Sequence, residues 1–170
     1  MNCPKVIIVV EDRYAKEAIR KLLIKRQISC FDVQYLPICS TKFSRIISAH
    51  QDYGRHIIIV ADAELENPTE KETQIRDKHG LHSNNVDIII VDPCMEALAC
   101  IALGLNGCRN KPCDAGPLFS VKEYYKNIHR KDYKKRFLEK LLLEADDKNN
   151  LEKVYEFKKL INKINKNYEN

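Results

Sequence analysis

The stretch KVIIVVED, Lys5 to Asp12, decides the fold. Its run of Val and Ile from Val6 to Val10 is the pattern of a strand buried on both faces, as central strands of parallel sheets are. Two later stretches repeat it: HIIIVAD from His56 to Asp62, and VDIIIVD from Val86 to Asp92. A fourth, CFDVQYL from Cys30 to Leu36, alternates apolar and polar residues and stops at Pro37, which suits a half-exposed edge strand.

Helical periods fall between these strands. Asp12 stands as cap to a helix in which Ala15, Ala18, Ile19, Leu22 and Leu23 recur on one face. A second helix covers Thr41 to Tyr53, with Phe43, Ile46 and Ile47 inward. The segment NPTEKETQIRDKHG supplies Asn67 as cap, Pro68 at the first helical position and Gly80 as the stop. Pro93 opens another helix to about Leu103, apolar nearly all round, and a polar loop follows from Gly104 to Pro117. Beyond it the periodicity is helical to the end, with a break near ADDKNN. Strands alternating with helices imply parallel βαβ units. The expectation is an α/β fold: a Rossmann-like open parallel sheet of about four strands in residues 1–117, and a basic helical extension in 118–170.

A chain of 170 residues that is 44% hydrophobic and 31% charged, with 5 Gly and 6 Pro, is sized for one core and is neither collagenous nor of low complexity. No apolar run is long enough to span a bilayer, and Val6 to Val10 is too short for a signal-peptide core, so a soluble, cytoplasmic protein with no membrane partner is expected. The formal charge of +5 is unevenly spread. Residues 1–119 hold 15 basic and 15 acidic side chains, whereas 120–170 hold 14 and 9. Lys122, Lys126, Arg130, Lys131, Lys134, Lys135 and Arg136 stand against only Glu123 and Asp132, with Tyr124, Tyr125 and Tyr133 interleaved. That segment is either a solvated helix face or a surface for a polyanion. Its tyrosines either stack on bases or pack the tail against the sheet. The seven cysteines include no CxxC pair and no zinc-finger spacing, so most are expected to be small buried hydrophobes. A local Cys108–Cys113 disulfide across CRNKPC stays open.

In an open parallel sheet the ligand site lies at the carboxyl ends of the strands. Here those ends carry acids: Glu11 and Asp12, then Asp62 and Glu64, then Asp92 with Glu96 a helical turn later. Hard oxygen ligands at this density suit Mg²⁺ or Mn²⁺, with Glu11, Asp62 and Glu64 as the expected metal site, since Asp-x-Glu puts two acids on the same side of an extended segment. Asp12 and Asp92 serve equally as helix caps. There is no GxxxxGK[ST] loop, no GxGxxG and no GxSxG, which argues against P-loop, dinucleotide-binding and α/β-hydrolase chemistry. Cys94, at a helix start, is a candidate nucleophile, but no histidine is placed by sequence to activate it.

A glutamate directly after the first strand, IIVVED, and an acid-x-acid pair after the third, IIIVADAE, resemble the Toprim domain of topoisomerases, bacterial-type primases and OLD-family nucleases. The stretch VDPCMEALACIAL is similar to the Pro-Cys-x-Glu segment of Toprim-like phage-defence nucleases. The resemblance covers about residues 5–104. It implies Glu11 as the general acid or base, Asp62 and Glu64 as metal-ligating acids, and divalent-metal-dependent cleavage of DNA or RNA. The chain departs from the family in having Asp-x-Glu for Asp-x-Asp, and Asp12 where a glycine often follows the first glutamate. Arg13, Lys16, Arg109 and Lys111 are candidates for neutralising phosphate, together with the basic tail. The alternative is an inactive Toprim-like module that binds nucleic acid or a protein partner through its basic C-terminal helices; a homodimer is a separate open expectation. A small-molecule phosphohydrolase with an aspartyl nucleophile ranks last, because it would need Asp-x-Asp after the first strand where this chain has Glu-Asp-Arg.

Overall fold

The computed structural model describes residues 5–129 and 136–167. Among them are four strands, β1 (Val6–Val10), β2 (Phe31–Tyr35), β3 (His56–Asp62) and β4 (Val86–Val91). Seven α-helices accompany them: α1 (Arg13–Lys25), α2 (Phe43–Asp52), α3 (Pro68–His79), α4 (Glu96–Ala102), α5 (Pro117–His129), α6 (Phe137–Asp147) and α7 (Tyr155–Lys166). The strands form one all-parallel sheet in the order β2-β1-β3-β4, the open Rossmann-like arrangement expected, with β2 at an edge.

Strand alternation divides the interior in two. Val6, Ile8, Val10, Ile58, Val60, Ile89 and Val91 face one layer, which holds α1, α4 and the apolar faces of α5, α6 and α7. Ile7, Val9, Ile57, Ile59, Ala61, Ile88 and Ile90 face the other, against Phe43 and Ile47 of α2 and Ile75 of α3. The continuous apolar runs are therefore buried on both sides. The C-terminal helices share a core with the sheet: Tyr125, Phe137, Leu141, Leu142, Phe157, Leu160 and Ile164 belong to the same apolar cluster as β1.

Local signals set the helix ends. Asp12 accepts hydrogen bonds from the Tyr14 and Ala15 N–H groups at 2.6 and 2.9 Å, so it is an N-cap. Asn67 caps α3 through Thr69 and Glu70, and Gly80 closes it in the left-handed conformation, φ +66°. The start of α4 falls later than expected, at Glu96, because Pro93 to Met95 turn before the helix begins.

The tail is tied to α1 by charge as well as by apolar contact. Lys21 pairs with Glu139 at 2.5 Å, Lys25 with Asp146 at 3.2 Å and with Asp147, and Arg26 with Asp146 at 2.6 Å and Glu152 at 2.5 Å. Arg26 also lies over the Phe157 ring, 4.8 Å from its centre. Acids of the extension thus turn toward basic residues of α1 and of its C-cap, 118 or more positions earlier.

The cysteines differ from the sequence expectation. Cys94 is bonded to Cys113 and Cys100 to Cys108, nested pairs that pin the loop after α4. The local Cys108–Cys113 bond is excluded, because each sulfur has another partner. Cys94, disulfide-bonded here, is not a free nucleophile in this state, and Cys30 and Cys39 are exposed free thiols. Among the described residues no helix is long and apolar enough to cross a membrane.

Candidate functional site

In the order β2-β1-β3-β4, chain connections leave β1 to one side and β3 to the other, so the crevice beyond the ends of these two strands is the topological switch point. Glu11 and Asp62 are the residues at those ends. A Glu11 carboxylate oxygen accepts a hydrogen bond from the Asp62 backbone N–H at 3.2 Å, which lays the Glu11 side chain across the gap between the two strands.

Asp62 is the most perturbed acid. Its pKa rises from an ordinary 3.8 to about 8, first because burial strips water from it, then because Glu96, Glu11 and Asp12 repel its charge. A Met95 backbone N–H offsets this only in part. Glu96 is raised too, again by burial first, then by Asp12 against the counter-effect of Lys122. Burial also raises Glu11, with Lys71 and backbone N–H groups acting against it and Glu64 with it. Four acids from three strand ends, Glu11, Asp12, Asp62 and Glu96, therefore interact electrostatically, and Glu64 reaches Glu11. Such a group favours either bound protons or a bound cation.

Glu64 does not continue the extended strand. Its φ is +59°, a conformation disfavoured for residues with a side chain, and its N–H bonds the Pro93 carbonyl at 2.7 Å. Strand alternation therefore stops at Ala63, and the expectation that Asp62 and Glu64 lie on one side of an extended segment is corrected by this turn. Among the described residues, Cys94, Glu96 and Cys113 are the set of three potential ligands whose donor atoms lie within 4.8 Å of one another. Glu11, Asp62 and Glu64 do not close to that distance.

The other candidates fall into distinct places. Asp92 faces Arg109, whose guanidinium lies 3.8 Å from the Asp92 carboxylate and donates to the Asp92 carbonyl at 2.8 Å. The same guanidinium holds buried Glu156 of α7 at 2.8 Å, so Arg109 ties the loop to α7. Arg13 lies over the Tyr35 ring and lines a cleft of about 480 Å³ with Tyr14, Glu17, Arg136 and Glu139. Lys16 is half-buried on α1, Lys111 is exposed in the loop, and Lys126 is exposed on α5. Lys122 acts on Glu96. Arg136 pairs with Glu139 at 3.0 Å. Arg130, Lys131, Lys134, Lys135 and Tyr133 lie outside the described residues.

Two tyrosines offered for base stacking pack the protein instead. Tyr125 is buried with its ring edge-on to Phe137, and the Tyr124 hydroxyl donates to Glu144 at 2.5 Å. One relevant cation was not read from the sequence. Lys71, in the first turn of α3, pairs with Glu66 at 2.6 Å and acts on both Glu11 and Glu64. The signal was its position: a helix following β3 must begin at the same edge where β3 ends, and Lys71 lies four residues past its cap. No protein-family model, curated protein or solved structure matches the chain.

Proposed function

We propose that the chain is a Toprim-like, divalent-metal-dependent enzyme that cleaves nucleic-acid phosphodiesters at the carboxyl edge of its sheet. The observation that supports this most is the electrostatic state of Asp62, whose proton affinity is raised by burial and by three neighbouring acids. A carboxyl group in that setting gains from exchanging its proton for a divalent ion, and the oxygen-only donor set suits Mg²⁺ or Mn²⁺. Glu11, Asp62 and Glu64 would hold the ion. Bound there, it supplies Lewis acidity toward a phosphoryl oxygen and the activation of a water.

The chain's own groups supply the rest. Glu11, anchored on the Asp62 N–H and with its proton affinity raised, is suited to hold or pass a proton near the scissile phosphate. Lys71 and Lys122 bring positive charge to the two sides of the crevice, at Glu11 and at Glu96. The test is Mn²⁺-dependent cleavage of single- and double-stranded DNA and RNA by the wild type, Glu11→Gln and Asp62→Asn. Loss of cleavage in both variants supports the proposal, and cleavage equal to wild type refutes it.

A second reading is favoured by the donor spacing, since Glu11, Asp62 and Glu64 do not converge within 4.8 Å. In it the acids are vestigial, and the chain is an inactive module that binds nucleic acid or a protein partner through exposed lysines of the tail. It predicts nucleic-acid binding that persists in EDTA and weakens steeply with salt.

A further inference from the structure

Cys94, Glu96 and Cys113 form a second group at the rim of the same edge, with different chemistry. Their donor atoms lie within 4.8 Å of one another, and a Glu96 carboxylate oxygen is 3.5 Å from the Cys113 sulfur. Cys94 is buried, and Glu96 and Cys113 are half-buried, so the group is shielded without being sealed. Cys94 and Glu96 are fixed by the turn that enters α4, while Cys113 arrives from the loop before α5. The Cα atoms of the two cysteines are 5.9 Å apart.

We propose that this group is a redox-gated site for a thiophilic divalent cation such as Zn²⁺, closed while Cys94 and Cys113 are disulfide-bonded and opened by a dithiol reductant. Reduction is a two-electron exchange: the dithiol gives two electrons and two protons to the Cys94–Cys113 bond, leaving two thiols here and a disulfide in the reductant. Metal binding then releases the two thiol protons, and both thiolates and the Glu96 carboxylate become ligands. A tetrahedral ion with Zn–S bonds of about 2.3 Å needs its sulfurs about 3.8 Å apart. The opening from disulfide contact is within the reach of a loop residue such as Cys113.

Donor type decides the ion. Two thiolates select Zn²⁺ over Mg²⁺, and three protein ligands leave a position for water or substrate, as in catalytic rather than purely structural zinc sites. Cys100 and Cys108 serve as an internal control, because they also release thiols on reduction but lie outside the group.

The test is anaerobic titration of the full-length, phosphine-reduced protein with Co²⁺, which reports thiolate ligation by intense near-ultraviolet charge transfer and tetrahedral geometry by visible bands. One equivalent should bind with both signatures in the reduced wild type and in Cys100→Ala/Cys108→Ala. Neither signature should appear in the oxidised wild type or in Cys113→Ser, and Glu96→Gln should weaken binding by about tenfold or more. Absence of thiolate absorption from reduced wild type that circular dichroism shows to be folded overturns the proposal. So does an undiminished band in Cys113→Ser. The readout is independent of nuclease activity and of Glu11 and Asp62, whose oxygen ligands give no thiolate charge transfer.

Discussion

Replacing Asp62 by Asn removes one ionisable proton and little else in shape, so its effect on stability reports the charge state of the crevice. An acid whose pKa is raised in the folded chain holds its proton more tightly there than when unfolded. Folding stability then falls as pH rises through the window from 3.8 to about 8. At pH 4.5, only about 0.7 pH units above the ordinary value, the penalty is small, about 1 kcal/mol in full. At pH 7, about three pH units above the ordinary value, 1.36 kcal/mol per unit gives about 4 kcal/mol in full. Allowing for water that reaches the half-buried side chain reduces this to about 2–3 kcal/mol. The same allowance leaves about 0.5–0.7 kcal/mol at pH 4.5, so the advantage of Asp62→Asn over wild type should grow by about 1.5–2 kcal/mol between pH 4.5 and pH 7, read from urea unfolding midpoints at equal slope. A difference between the two proteins that stays constant across that interval would refute the reasoning, because the crevice would then not be holding Asp62 protonated.

Arg109→Ala leaves Glu156 buried without its cation, and should cost about 2–3 kcal/mol and speed hydrogen exchange in α7. Leu142→Ala, at a fully buried position of the core shared by sheet and tail, should cost about 2–5 kcal/mol. Probes on β3 and α6 of that variant should still unfold in one transition; separate midpoints would mean that the tail folds independently. Burial opposes ionisation of Asp87, yet hydrogen bonds from His56 and Lys163 hold its pKa at about 2. The stability this contributes is present above pH 3.8 and is lost as pH falls through about 2, so Asp87→Asn should cost roughly 1 kcal/mol at pH 7 after solvent screening. An acid titration of both proteins should show that difference disappearing near pH 2.

Much of the fold was legible because burial writes itself into short patterns. Val6–Val10 and the runs within His56–Asp62 and Val86–Asp92 carry no alternation because each is buried on both faces: β1 and β3 in the middle of the sheet, and β4 although it is an edge strand. Asn67, Pro68 and Gly80 mark α3 because capping is a local hydrogen-bond requirement. The strand-end acids were legible for the same reason: parallel topology brings every strand's carboxyl end to one edge. What sequence could not carry was long-range pairing. Disulfide connectivity is not determined by spacing, and Cys94–Cys113 encloses Cys100–Cys108 instead of the nearer Cys108–Cys113 bond. The basic excess of the tail did not show where its acids go: Glu139, Asp146 and Glu152 turn toward Lys21 and Lys25 of α1 and Arg26 at its end. For Tyr125 the sequence left base stacking and packing equally open, and the docking of α5 and α6 makes it core. Glu64 looked like the second member of an extended acid pair because nothing in ADAE announces a left-handed residue.

The central claim is that the acids at the ends of β1 and β3 hold a divalent cation. The most direct measurement is a crystal soaked in Mn²⁺ and recorded at an energy where manganese scatters anomalously. An anomalous peak within coordination distance of Glu11 and Asp62, lost in Asp62→Asn crystals, is the predicted result. A Mn²⁺-saturated crystal with no peak between those two carboxylates would contradict the account.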